Sequence, residues 1–199
     1  MLYWGVNKKR LSRSVRAQNM GVLAQQSSLS FSFTVEEVVQ LGLLPLSLSS
    51  RKATQVIDEV MQKVGVSEFK HRAYPSLSGG EKQRVHLARV LVQLSQAGQK
   101  AILMLDEPTS ALDLAHQHKI LSIAREMAEK GAAVIVVLHD LNLAAQYSDR
   151  IMVLNNGKIE ADGSPWQVLT KQMILAVYGY ACLVQKHPIK DHPMIYSIK

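Results

Sequence analysis

One cysteine, three phenylalanines and no long apolar run set the first limits on this chain. Cys182 has no partner for an internal disulfide, so the fold must hold without one, as suits a reducing cytoplasm. The longest unbroken apolar stretch, residues 132–138, falls far short of the roughly 20 residues that span a bilayer. Membrane contact is therefore expected to be peripheral. Residues 1–16 are basic and lack the apolar core and small-residue cleavage site of a secretory signal. Acidic residues are in the minority, 16 against 23 Lys and Arg, for a formal charge of +7. Lys8, Lys9, Arg10, Arg13 and Arg16 group near the start, a cluster that could meet nucleic acid, anionic lipid or nothing but water. Also absent is any G-x-x-x-x-G-K-[ST] run, since the single Gly-Lys dipeptide, Gly157-Lys158, is followed by Ile159.

What is present suffices for one globular domain with a small lobe: 199 residues, 47% of them apolar. Thr34 and Glu37 have the spacing of a helix capping box, and Val35, Val38 and Val39 follow at helical intervals. Pro45 and three serines break the pattern over residues 42–50. A second helix carries Ala53, Val56, Ile57, Val60, Met61 and Val64 on one face and stops at Gly65. After Pro75 the pattern alternates between helix and strand. Residues 79–94 read as helix, 101–105 as buried strand, 114–130 as amphipathic helix ended by Gly131, and 132–138 as a second buried strand before a short helix from Leu141. Such alternation implies an α/β fold with a parallel sheet covered on both faces. Residues 151–154 and 158–161 flank Asn155-Asn156-Gly157, a hairpin turn signal. Beyond Gly163 helix signals are weak, and Pro188 and Pro193 argue for an irregular tail.

Three places carry chemistry. In Leu77-Ser78-Gly79-Gly80-Glu81-Lys82-Gln83, two glycines after a serine at a helix start leave backbone N–H groups unobstructed for an anion, and the helix dipole adds attraction. An ordinary serine N-cap would look similar, but L-S-G-G-x-x-Q arises by chance in on the order of one chain in a few thousand of this length. The strand over 101–105 leads into Asp106-Glu107-Pro108, which puts a carboxylate at the carboxyl end of a parallel strand, where open α/β sheets bind ligands. One such Asp organises Mg²⁺ in phosphoryl transfer, and a neighbouring Glu orients or deprotonates water. Adjacent strand residues face opposite ways, so the use of both requires the chain to leave the strand at Glu107, consistent with Pro108. His139 ends the second strand in the same manner.

Together these residues resemble the ATP-binding subunit of an ABC transporter. Leu77 to Gln83 resembles the family signature, Ile102 to Asp106 its Walker B strand, Ser110-Ala111-Leu112-Asp113 its D-loop, His139 its switch histidine and Gln25 its Q-loop glutamine. The resemblance spans residues 15–179. Within the family, the stretch from Ser27 through Val39 is similar to importers of haem, ferric siderophores and cobalamin, and the run from Leu77 through Leu91 is most like the hemin-import group.

The resemblance implies a P-loop NTPase-like core with an inserted all-helical lobe over 34–75, a catalytic core over 76–162, and a C-terminal helix and tail over 163–199. It implies ATP and Mg²⁺ as cofactors. Asp106 and Gln25 would serve the metal, Glu107 and His139 would be catalytic, and Gln25, Ser78, Gly79, Gly80, Gln83 and Asp113 would contact nucleotide. It further implies a head-to-tail pair of ATPase subunits on transmembrane permease subunits, at the cytoplasmic face of the inner membrane. A periplasmic binding protein would act indirectly, and no nucleic acid is expected. The family's opening antiparallel sheet, adenine-stacking aromatic and Walker A lysine have no counterpart in these residues. The expectation is therefore of a core lacking its N-terminal third, inactive by itself, with open strand edges and exposed apolar surface. Siderophore or cobalamin import, a DNA-repair-type ATPase and a non-catalytic remnant that binds a partner are the alternatives.

Overall fold

The computed structural model describes residues 2–3, 6–7, 12–25 and 32–198. Lys8, Lys9 and Arg10 of the basic cluster, and the serine-rich stretch Ser27-Ser28-Leu29-Ser30-Phe31, lie outside the described residues. The chain divides into two compact units, Met1–Val137 and Leu138–Lys199.

In the first unit, β1 (Leu2–Tyr3) and β2 (Val6–Asn7) form an antiparallel pair, and α1 (Arg13–Asn19) leads into β3 (Met20–Leu23). A helical stretch follows. α2 (Val35–Gln40) starts at the Thr34–Glu37 capping box, a 3-10 turn occupies Leu41–Leu43, and α3 (Ser50–Val64) ends at Gly65 with φ of 75°. Two 3-10 turns, Ser67–Phe69 and Tyr74–Ser76, precede α4 (Gly79–Gln93). The remainder is β4 (Ile102–Asp106), α5 (Leu114–Glu129) and β5 (Ala133–Val137). The three longer strands make a parallel sheet in the order β3-β4-β5, with Val22, Met104 and Ile135 in one row.

Burial explains why α4 lies where it does. Val85, Leu87, Val90 and Val92 are fully buried, and they share one cluster with Val38 and Val39 of α2, Ile57 and Met61 of α3, Leu23 of β3 and Leu103 of β4. Each such side chain contributes about 1.5–3 kcal/mol when fully buried. The 3-10 turn after α2 packs close against α4: a Cβ on Gly42 would stand 2.3 Å from the Arg89 carbonyl oxygen, so no other residue fits.

The sheet differs from expectation in one respect. Its strands are not covered on both faces: Val134 and Val136 pack on the core, whereas Val22, Ile135 and Val137 on the other face are 48%, 53% and 48% exposed. The physical reason is layering, since among the described residues of this unit the helices cover only the face that Leu23, Leu103 and Leu105 line. Open apolar surface of this kind is itself among the expectations.

In the second unit, α6 (Leu141–Tyr147) is followed by the hairpin of β6 (Ile151–Asn155) and β7 (Lys158–Gly163). Asn156 and Gly157 both have positive φ, as a tight hairpin turn requires. The stretch after Gly163 is not irregular. It forms α7 (Pro165–Val168), α8 (Lys171–Tyr178) and a second hairpin of β8 (Cys182–Lys186) with β9 (Pro193–Ser197). Proline is tolerated because Pro165 occupies the first turn of a helix, Pro193 opens a strand at the edge of a two-stranded sheet, and Pro188 falls in the intervening turn. Among the described residues no helix is long and apolar enough to cross a membrane.

The helices of the first unit are joined by ion pairs. Lys63 of α3 donates to Glu126 of α5 at 2.6 Å, and Lys130 donates to the same carboxylate. Hydrogen bonds from Lys130 and then Lys63 lower the Glu126 pKa to about 2. A carboxylate with a depressed folded-state pKa stabilises the fold above its unfolded value, and that contribution is lost as pH falls toward 2. Replacement Lys63→Met is expected to cost no more than about 1 kcal/mol at pH 7, since the pair is partly exposed. In urea denaturation this difference should shrink between about pH 4.5 and 2. A difference that stays constant would show that packing, not charge, is responsible.

Candidate functional site

The site in the first unit forms where β3, β4 and α4 each deliver a residue. β4 ends at Asp106, which pairs in register with Val137 and is exposed. The chain leaves the strand at Glu107, whose φ of 48° is in the left-handed region that side chains rarely adopt. That turn brings Glu107 within reach of Gln25, which lies just past β3, and the Gln25 amide Nε2 donates to Glu107 Oε2 at 2.7 Å. The Glu107 backbone is held as well. Its N–H donates to the Val137 carbonyl at 3.2 Å, and its own carbonyl accepts from Gln83 Nε2 at 3.2 Å and from the Ser110 hydroxyl at 3.1 Å.

The serine-glycine turn opens α4. Ser78 is the N-cap: its hydroxyl accepts from the Glu81 N–H at 3.3 Å, and its own N–H donates to Glu81 Oε2 at 2.7 Å. The bond from the Ser78 backbone N–H first, and then one from the Ser78 side chain, hold the Glu81 carboxyl below its ordinary range. Gly80 packs directly on the 107–113 loop, because a Cβ there would meet the Ala111 carbonyl oxygen at 2.8 Å and Leu112 Cδ2 at 3.0 Å. Gly79 has room, its nearest neighbour being 3.9 Å away. Asp113 closes the loop as N-cap of α5, accepting from the His116 backbone N–H at 2.9 Å and from His116 Nδ1 at 2.8 Å. Both bonds lower its pKa, the backbone one more.

Gln25, Ser78, Gly79, Gly80, Gln83, Asp106, Glu107 and Asp113 thus all lie in the first unit. His139 belongs to the second, where it precedes Asp140, the N-cap of α6 that accepts from the backbone N–H groups of Asn142 and Leu143. Two supporting residues carry no sequence signal. Tyr74 is buried just before the serine with its hydroxyl hydrogen-bonded to His86 Nε2 at 2.8 Å, and Gln117 donates to the Thr109 and Leu112 carbonyls from α5. A lone glutamine or a buried Tyr–His pair has no periodicity to mark it.

An anion-ready helix start beside a carboxylate at a parallel strand end is the constellation of a nucleotide hydrolase, and comparison with known proteins decides which. Residues 4–110 match the profile of the family described as ABC transporter. The chain belongs to that family. It is 56% identical over 195 residues to the hemin import ATP-binding protein HmuV of Photobacterium profundum, covering 98% of this chain and 70% of that protein. The HmuV of Vibrio cholerae serotype O1 is 57% identical over 98% of this chain and 75% of its own. Among solved structures, an ABC transporter in an inward-facing conformation aligns over 91% of this chain and 73% of its own with a TM-score of 0.72 at 24% identity, a likeness of fold. The cbiO1 protein of Clostridium perfringens, part of the ABC transporter complex cbiONQ, aligns over 80% of this chain and 62% of its own at 26% identity and a TM-score of 0.64.

ABC ATP-binding domains bind and hydrolyse ATP, typically with Mg²⁺. Among the described residues no three His, Cys, Asp or Glu side chains gather as a metal-holding group. The exposed Asp106 fits Mg²⁺ all the same, because that ion keeps several waters and takes one or two carboxylates plus substrate phosphates.

The two signature glycines should respond differently to a methyl group. Gly79→Ala meets only an ordinary van der Waals contact with Ala111 and gains helix propensity, so stability should rise by up to about 1 kcal/mol. Gly80→Ala must displace the Ala111 carbonyl and should cost about 1–3 kcal/mol. Thermal unfolding of both variants checks this; equal effects would contradict the packing of α4 on the loop.

Proposed function

We propose that this chain is the ATP-hydrolysing, energy-coupling subunit of a hemin importer, working as a head-to-tail homodimer on transmembrane permease subunits. It would sit peripherally at the cytoplasmic face of the inner membrane, with a periplasmic binding protein acting upstream. The observation that carries the reading is its 51–59% identity to proteins named for hemin import, over more than nine-tenths of its length.

In this reading Asp106 holds Mg²⁺, with Gln25 beside it. When bound, the ion neutralises charge on the β- and γ-phosphate oxygens. Glu107 polarises the attacking water, and His139 holds the γ-phosphate. Ser78, Gly79 and Gly80 present N–H groups and a hydroxyl to the ATP of the opposite subunit, and Asp113 lies at the same interface. The Gln25–Glu107 hydrogen bond supports the pairing of sensor and base, since a change at either side chain is felt by the other. The all-helical stretch over 34–75 is the lobe that contacts the permease.

The 199 residues by themselves lack the lysine and loop amides that cradle β- and γ-phosphates, so alone they do not turn over ATP. Turnover by the purified chain that Glu107→Gln abolishes would overturn this point. For the transporter reading, Glu107→Gln introduced at the gene's own locus should abolish growth on hemin as sole iron source. Unimpaired growth on hemin would refute the function, and a defect confined to siderophore or cobalamin uptake would change the cargo.

A further inference from the structure

Gln83 is in the signature run, where a nucleotide contact is the natural reading, yet both polar atoms of its amide point into the protein. Nε2 donates to the Glu107 carbonyl, and Oε1 is buried without a hydrogen-bond partner. A flipped amide would set two oxygens 3.2 Å apart, so this one bond fixes the orientation. An amide with its acceptor enclosed cannot reach a ligand outside the chain, and its work is internal.

The Glu107 backbone shows what that work is. Its left-handed φ is a conformation that persists only where surroundings over-determine it. Two of its carbonyl contacts come from Ser110 on the same loop, through the N–H at 3.3 Å and the hydroxyl at 3.1 Å, and move with the loop. Among the described residues, its backbone anchors from outside include the Val137 carbonyl on β5 and the Gln83 amide on α4. Three residues before Gln83 on the same helix, Gly80 touches the far side of that loop at Ala111 and Leu112. The first five residues of α4 therefore hold both ends of the segment that carries the carboxylate.

We propose that Gln83 is a positioning residue: through its amide, the helix that begins at the Ser78–Gly80 turn holds Glu107 in its left-handed conformation. An anion arriving at that turn would thereby act on the chain's own carboxylate as well as on the neighbour's nucleotide. The coupling rests on the reading of Glu107 as the base, whereas the strut itself does not depend on it.

Hydrogen exchange of the full 199-residue chain, followed by NMR, tests the strut. Gln83→Met keeps the length of the side chain and removes the donor, so the fold should persist. The amides of Glu107 and Ser110 should exchange about fivefold faster or more, those of Leu103, Leu105 and Ile120 should be unchanged, and the Gln25 side-chain amide resonances should shift. Gln83→Lys, which retains a donor, should restore exchange to within about twofold of wild type. Unchanged exchange at Glu107, uniform acceleration through β4 and α5, or failure of lysine to restore protection would each overturn the proposal. None of these results bears on whether Glu107 acts on water, which the growth test decides separately.

Discussion

Helix α4 cannot shift without disturbing everything around it, and the first unit depends on that constraint. Its far end is tied by Gln93, whose Nε2 donates to the Ala17 carbonyl at 2.7 Å and the Met20 carbonyl at 2.9 Å, joining the helix to the start of β3. Its middle is pressed against Gly42, its buried face fills the core, and His86 fixes it to Tyr74. Its N-terminal end carries the Ser78–Gly80 amides and, through Gln83, the Glu107 backbone. An anion site at a helix start is common, but one on a helix clamped along its whole length is preorganised, and preorganised donors lose little on binding.

Much of this is legible in the residues. The capping box at Thr34 and Glu37, the stop at Gly65 and the Asn156-Gly157 turn are local devices, set by hydrogen bonds or φ preferences within a few residues, and each has a sequence signature. The exit of the chain at Glu107 is legible too, since adjacent strand residues cannot share a face unless the strand has ended. Less visible are contacts that depend on elements meeting in space. Gln25 reaches Glu107 across 82 residues of sequence, and the paired glycines suggest only open N–H groups, whereas Gly80 is also small because a carbonyl passes beside it. The regular tail is hidden because proline acts as a breaker only in some positions; at a helix first turn or an edge-strand start it breaks nothing.

The half-open sheet follows from the same layering. Val22, Ile135 and Val137 are β-branched residues of the type that favours a pleated, packed surface; Val22 and Ile135 flank Met104 in one row, and Val137 follows on the same face of β5. Their exposure is unfavourable in water, so the three strands must be stabilised from the other face, where Leu23, Leu103 and Leu105 are almost wholly buried against α4 and its neighbours. The placement of Asp106 and Glu107 at the strand end therefore rests on one-sided packing. A loss of side-chain volume beneath β4 would move the carboxylates more than an equal loss in a sheet packed on both faces.

Electrostatics sets a further condition on the Ser78–Gly80 turn. The Glu81 carboxylate lies at the third position of α4, where it stabilises the helix start by occupying the Ser78 N–H, and the same charge opposes any phosphate that approaches. Two cations soften that opposition: Arg72 stands 3.9 Å from the other Glu81 oxygen, and the buried Arg84 follows on the next turn, adding to the depression of the Glu81 pKa. With the Ser78 N–H and hydroxyl already engaged by Glu81, the remaining capacity of the turn rests on the Gly79 and Gly80 amides. Two cations and the positive end of the helix thus stand against one carboxylate, which leaves a net attraction for a phosphate at this turn. In the proposed reading that attraction would help to complete a site belonging to a neighbouring subunit.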